Sequence, residues 1–333
     1  MSPDDLAALT SLKDSTTRPL PLRLAIADYD RTRPLTNGTV QPEGIKLTTA
    51  SPEIAAFCNG PVYEQFDVAE MSFSLFVAAK ARGDKVIALP IFPLRMAVLA
   101  YVFCRDDAPY KHPSELIGKR IASIGYRYTV NLWLRGMFKD HYGLAPEQVT
   151  WVTGQQENAG FVMPKGLDVR VKEGRSPGDL LLSGEADAII GPEAPDEFLK
   201  GDKRIRRLFP DARQEGVDYF RKTGIFPTTH IVAMSEASYR ARPWVAEPLV
   251  KAFTEAQRQT DAFIYANAKH SILPDAVFYL EEERRLWGDN PWPHGLKANR
   301  NTVETFVRYA HEQGYIDRRL TIEEMFAETT LHL

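Results

Sequence analysis

The chain of 333 residues holds two cysteines, Cys58 and Cys104, with no metal-ligand or redox spacing between them. That scarcity excludes a disulfide framework and a zinc cluster, and both read as small buried hydrophobes in a reducing, cytoplasmic setting. Charge of one sign is also scarce: 41 basic against 44 acidic residues give −3, which leaves no electrostatic footprint for nucleic acid. No apolar run approaches the roughly 20 residues that span a bilayer, so no membrane partner is expected. Met1 to Thr17 carries Asp4, Asp5, Lys13 and Asp14 and has neither a basic nor an apolar stretch. It reads as a frayed tail rather than a secretory signal. The glycine-rich dinucleotide fingerprint, the phosphate-loop lysine, His-Glu-x-x-His and Gly-x-Ser-x-Gly are all missing. Nothing points to a nucleotide, a structural zinc, a serine nucleophile or any other cofactor.

What is present is α/β alternation in a chain long enough for two lobes. Leu22–Ala27, Ile45–Thr49, Phe66–Glu70 and Lys85–Leu89 read as strands, with helices at Glu53–Asn59 and Ser72–Arg82. The apolar run Ala97–Phe103 is a first crossing out of this lobe. A second α/β set follows, with strands at Arg120–Ile124, Gln148–Val152 and Ala186–Ile190 and helices at Val130–Asp140 and Pro177–Ser183. Thr229–Met234 is the return crossing, and a mostly helical region covers Arg242–Asn267, Asp275–Leu286, Thr302–Gln313 and Ile322–Glu328. The expected organisation is a tail at 1–19, lobe 1 at 20–103 plus 228–333, and lobe 2 at 104–227. Two crossings make a hinge with an interlobe cleft. This element order resembles the type II periplasmic-binding-protein fold.

Candidate site residues gather where strands end, because open α/β sheets bind ligands beyond their carboxyl ends. Asp28-Tyr29-Asp30-Arg31-Thr32-Arg33-Pro34 follows the first strand. Its guanidiniums suit a carboxylate; its ordinary reading is a solvated turn. Ser72, in Glu70-Met71-Ser72-Phe73-Ser74, is a helix N-cap candidate that can also face an anion. Arg95 precedes the first crossing. Gly125-Tyr126-Arg127-Tyr128-Thr129 opens the second lobe's first helix, with Arg127 as a second anion-holding candidate. Glu157 and Glu193 lie in loops after second-lobe strands, and Glu193 can act as a base. His230 sits at the second crossing and reads as either a proton-transfer group or a hydrogen-bonded core histidine. Asn290-Pro291-Trp292-Pro293-His294-Gly295-Leu296 reads as a rigid corner between helices.

These segments are similar to those of the 4,5-dihydroxyphthalate decarboxylases. The matching stretches are DYDRTRP from Asp28, FDVAEMS from Phe66, FPLRM from Phe92, LFPDAR from Leu208, TGIFPTTH from Thr223, NPWPHGL from Asn290 and EQGYIDR from Glu312. They span nearly the whole chain in order. One departure concerns the segment Tyr126–Thr129, where the family pattern has an acidic residue and a glutamine before the threonine.

The resemblance implies a carboxy-lyase that protonates an electron-rich ring carbon and releases CO2, most simply 4,5-dihydroxyphthalate to protocatechuate. It implies His230 as proton donor and Asp30 or Glu193 as acceptor of the phenolic proton. Asp28, Arg31, Arg33, Ser72, Arg95, Tyr126, Arg127 and Thr129 are then the substrate-binding set. A solute-binding protein for a small aromatic or anionic ligand is the alternative. Convergence of Asp30, Glu193 and His230 on a metal is a further one, and a homo-oligomer is an open expectation.

Overall fold

The computed structural model describes residues 18–58, 62–157 and 161–333; the expected tail lies, up to residue 17, outside them. Its strands are β1 (Leu20–Ala25), β2 (Ile45–Ala50), β3 (Val68–Ser72), β4 (Val86–Leu89), β5 (Val102–Arg105), β6 (Arg120–Ser123), β7 (Thr150–Thr153), β8 (Asp168–Val171), β9 (Ala188–Ile190), β10 (Ile205–Arg207) and β11 (His230–Ser235). Two compact units result. Unit 1 takes the described residues up to Arg95 with Thr228–Glu304 and Leu320–Leu333; unit 2 takes Met96–Pro227 with Thr305–Arg319.

In unit 1 the strand order is β2-β1-β3-β11-β4. Strand β1 runs parallel to β2 and β3, and β11 lies antiparallel between β3 and β4. One sheet face is apolar: Leu22, Leu24, Val68, Leu89, Val232 and Met234 join a single buried cluster. The helix Ala246–Ala266 covers it with Leu249, Val250, Phe253 and Ala256, the spacing of one helical stripe. Each fully buried Leu or Val here contributes roughly 1.5–3 kcal/mol.

In unit 2 the order is β10-β5-β9-β6-β7-β8. Strands β6, β7, β8 and β9 are mutually parallel, and β5 is antiparallel to β9 and β10. Phe103, Ala122, Val152, Leu180 and Ile189 form its buried cluster. Because β5 pairs inside this sheet, the chain changes unit at Arg95/Met96, eight residues before the 103/104 boundary expected from sequence. The stretch from Thr305 joins unit 2 because Phe306 and Tyr309 pack on Trp133 of the helix Thr129–Tyr142. Gly136 permits that approach: a Cβ there would stand 2.3 Å from the Tyr309 ring.

Both crossing segments, expected to carry the chain between lobes, thus contribute antiparallel strands to the two sheets. Ile54–Cys58 is a 3-10 turn rather than a helix. Strands β8 and β10 and the helix Ala212–Thr223 carry too few buried apolar residues to read from pattern.

Candidate active site

The carboxyl ends of β1, β2 and β3 share one edge of the unit 1 sheet. Strand β11 runs the other way, so its first residue, His230, stands at that same edge opposite Ser72. Glu70 lies opposite Val232, so Glu70 and His230 are diagonal neighbours on one face, within reach of long side chains. That face carries Val68 and Val232 below them; the polar pair caps the apolar stripe.

Glu70 is fully buried. Its Oε2 accepts the Ala27 N–H at 2.9 Å. Its Oε1 accepts the Tyr29 hydroxyl at 2.6 Å and faces His230 Nδ1 at 2.5 Å. Two neutral donors and a third, cationic one offset the several kcal/mol of desolvation that a buried carboxylate costs. Burial works against charge on His230, but the hydrogen bond to Cys58 and the hydrogen bond and charge of Glu70 outweigh it, raising the imidazole from 6.5 to about 9. His230 is therefore an imidazolium at neutral pH. Burial and then the Glu70 charge push the Tyr29 phenol well above its ordinary range, so it stays a donor. On the other side of the ring, Cys58 Sγ lies 3.8 Å from Nε2. Cys58 is half-buried rather than enclosed.

Arg31 stands beside this row. Its guanidinium is stacked between the Tyr29 and Trp292 rings at 4.1 and 4.2 Å, and Nε donates to Pro93 O at 2.7 Å. Its Nη2 is buried and has no hydrogen-bond partner among the described residues. Asp30, half exposed, meets Nη1 at 3.3 Å. Arg95 is buried and donates to Pro293 O at 3.0 Å and to Asn299; burial lowers it to about 9. His294 accepts the Phe92 N–H at 3.2 Å. Burial, then the charges of Arg95 and Arg31, lower it to about 3, so it is neutral. The Asn290–Leu296 turn therefore braces both arginines.

The remaining expected residues are placed differently. Asp28 and Arg33 pair with each other at 3.3 Å in solvent, both side chains more than 60% exposed. Ser72 occupies the N-cap position of the helix Phe73–Ala81 but its side chain does not cap it; its hydroxyl meets that of Ser74 at 3.4 Å.

In unit 2, Tyr126 is not at the surface. Its ring is fully buried among Arg135, Trp151 and Tyr315, so a binding role read from its junction position meets a closed core. Arg127 Nε lies 3.5 Å from Glu157 Oε2, both side chains at most 10% exposed. Burial raises Glu157 above its ordinary range, against the Tyr126 N–H and the Arg127 charge. Thr129 is buried as the first residue of its helix, and Glu193 is exposed after β9. Among the described residues no group of three His, Cys, Asp or Glu is arranged to hold a metal ion.

Against known proteins, the chain is 31% identical over 327 residues to a 4,5-dihydroxyphthalate decarboxylase of Comamonas testosteroni, covering 94% of this chain and 98% of that one. The chain belongs to the 4,5-dihydroxyphthalate decarboxylase family. A second member, from Pseudomonas putida, is 33% identical over 212 residues, 61% of this chain and 82% of its own. No protein-family model matches.

The fold of this family member resembles solved sulfonate-binding proteins. The putative periplasmic sulfonate-binding protein of Methylobacillus flagellatus matches with TM-score 0.56 at 15% identity, over 93% of this chain and 92% of that one. The periplasmic aliphatic sulphonate-binding protein of Escherichia coli matches with TM-score 0.51 at 14% identity, over 92% of each. This type II binding-protein fold overturns the cytoplasmic placement read from the sequence. Both of these solved proteins are periplasmic, so few cysteines and a polar N-terminus do not place this decarboxylase-family chain in the cytoplasm. Among its described residues no helix is long and apolar enough to cross a membrane.

Sequence reasoning passed over Glu70 and misread Cys58 as a core hydrophobe. The signal for Glu70 was present: a carboxylate inside the otherwise apolar Val68-Ala69-Glu70-Met71, where only a paired charge survives burial. Nothing local marked Cys58, which meets a histidine 172 residues away.

Proposed function

We propose that this protein decarboxylates a hydroxylated aromatic dicarboxylate, with 4,5-dihydroxyphthalate as substrate and protocatechuate as product. Family membership supports the reaction class. The observation that carries the site is the buried Glu70–His230 pair, which keeps an imidazolium at the sheet edge at neutral pH. Each carboxyl-bearing carbon of this substrate is para to a hydroxyl. Electron density from that oxygen lets the carbon accept a proton. The carbon–carbon bond to the carboxylate then breaks, its electron pair restores the aromatic ring, and CO2 leaves; one proton is consumed per turnover.

His230 is the source of that proton, and positioned acid catalysis of this kind is typically worth roughly 10²–10⁴-fold. Arg31 receives a substrate carboxylate through its buried Nη2. The two flanking rings fix the guanidinium plane and so the direction in which Nη2 donates. Asp30 shares the same strand end and is the candidate acceptor of the phenolic proton.

The test is CO2 release from chelator-treated protein given 4,5-dihydroxyphthalate, with phthalate and protocatechuate as controls. Release from the first compound alone, lost in His230→Ala, is the expected result. Binding without release would replace the reading with that of a binding protein.

A further inference from the structure

Two donors meet on one oxygen. Glu70 Oε1 accepts the Tyr29 hydroxyl at 2.6 Å and faces His230 Nδ1 at 2.5 Å, while Oε2 takes the Ala27 N–H. Glu70 is fully buried and His230 is 4% exposed, so the two donors compete in a low dielectric. Each hydrogen bond to the carboxylate draws on charge that would otherwise hold the imidazolium proton. Burial and then Glu70 keep the Tyr29 phenol protonated, so it can only donate. Its backbone N–H is tied to Thr32 Oγ1 at 3.2 Å, and its ring lies under the Arg31 guanidinium at 4.1 Å.

Few other charges surround His230. Among the described residues packed on β11, β3 brings Glu70 and the turn Ile54–Cys58 brings Cys58. Leu94 O, next to Arg95, accepts the His230 N–H at 3.4 Å, and the Arg95 guanidinium donates to Pro293 O and Asn299. In the turn Val62–Glu64, Tyr63 feels Glu64, Asp84 and Arg82. Glu236, next to the far end of β11, pairs with Lys80 at 2.7 Å. Residues 59–61, Asn-Gly-Pro, carry no titratable side chain.

We infer that Tyr29 is a positioning residue that sets the acid strength of His230, its hydroxyl holding the charge of Glu70 as the imidazolium gives up its proton. The inference rests on the decarboxylase reading above. As the Nε2 proton passes to the ring carbon, the imidazole becomes neutral and keeps Nδ1–H on Glu70. The carboxylate then loses its cationic partner, and the Tyr29 bond strengthens where that charge is left. Without the hydroxyl, Glu70 binds the imidazolium more tightly and the proton is harder to release. Tyr29 itself touches no reacting atom.

Tyr29→Phe tests this, because it removes the hydroxyl and keeps the ring under Arg31. By NMR, His230 is expected to titrate about one pH unit above its wild-type value. In CO2 release from 4,5-dihydroxyphthalate, kcat is expected to fall about tenfold with KM near the wild-type value. The alkaline limb of the pH profile should move up with the His230 value. A merely structural role has the opposite sign: a loosened site admits water, and His230 drifts down toward 6.5.

Wild-type protein that releases no CO2 overturns the decarboxylase reading and this inference with it. Where the wild type is active, a folded Tyr29→Phe whose His230 value does not rise, or whose kcat does not fall, overturns this inference alone. Should that variant not fold, wild-type chain made with 3-fluorotyrosine, a more acidic phenol and a stronger donor, takes its place. His230 is then expected to titrate lower than in ordinary protein, and a value that does not fall overturns the inference.

Discussion

Replacing Glu70 by glutamine keeps its size and removes its charge from a fully enclosed ion pair of unit 1. In the wild type the folded His230 value is about 9 against 6.5 for an ordinary histidine. At 1.36 kcal/mol per unit that difference corresponds to about 3 kcal/mol of coupling. Because the folded value is raised, the contribution to stability is fully present below pH 6.5 and is lost as pH rises through about 9. In Glu70→Gln the imidazole remains buried with only the Cys58 hydrogen bond favouring its charge, and its value is expected to fall from about 9 toward 6.5. The stability advantage of wild type over variant should therefore shrink by about 3 kcal/mol between pH 6.5 and 9. Urea unfolding across that range measures the difference, and an NMR titration of the His230 ring measures the two values directly. A wild-type His230 that titrates near 6.5, or an advantage that stays constant across the range, would refute the reasoning.

His294 behaves in the opposite sense. Its folded value is lowered to about 3, so stability is lost as pH falls below 6.5, and the advantage of wild type over His294→Asn should shrink on acidification in denaturant titrations. Gly136→Ala places a Cβ 2.3 Å from the Tyr309 ring and should cost about 1–3 kcal/mol, read as a lower urea midpoint at unchanged slope; an unaffected midpoint would show that the helix contact yields freely. Arg31→Lys keeps the charge but loses the planar stack between Tyr29 and Trp292. KM for the dicarboxylate should rise by about tenfold or more, equivalent to one charged hydrogen bond, and an unchanged KM would remove Arg31 from substrate recognition.

The sequence made the two-lobe α/β plan legible because strand and helix periodicities are local properties. It placed β1, β2, β3, β4 and β6 within about two residues of their observed ends. It did not show that β5 and β11 would become antiparallel members of the two sheets, since pairing partners are chosen by long-range contact. The site was legible in part for the same reason. Arg31 stood out by residue type at a strand end and Arg95 just before the first crossing, and the structure encloses both. Asp28 and Arg33 had the same local signature and lie in solvent, because neighbouring positions on a short turn face opposite ways. Tyr126 shows the reverse: a junction tyrosine whose ring turned inward onto Arg135. The Glu70–His230 bond joins residues 160 positions apart, and no local pattern encodes such a distance.

The insertion of β11 between β3 and β4 also bears on synthesis. As the chain leaves the ribosome, β1, β2 and β3 can pair at once, but β3 then presents an open apolar edge and β4 has no strand to join. Both must wait while Met96–Pro227, more than a hundred residues that belong to unit 2, emerges. Until His230–Ser235 arrives, the carboxylate of Glu70 has no imidazole. An exposed strand edge of this kind invites wrong partners. Nascent chains stalled before β11 should therefore be the aggregation-prone species, and chaperone demand should fall once that single strand has been made.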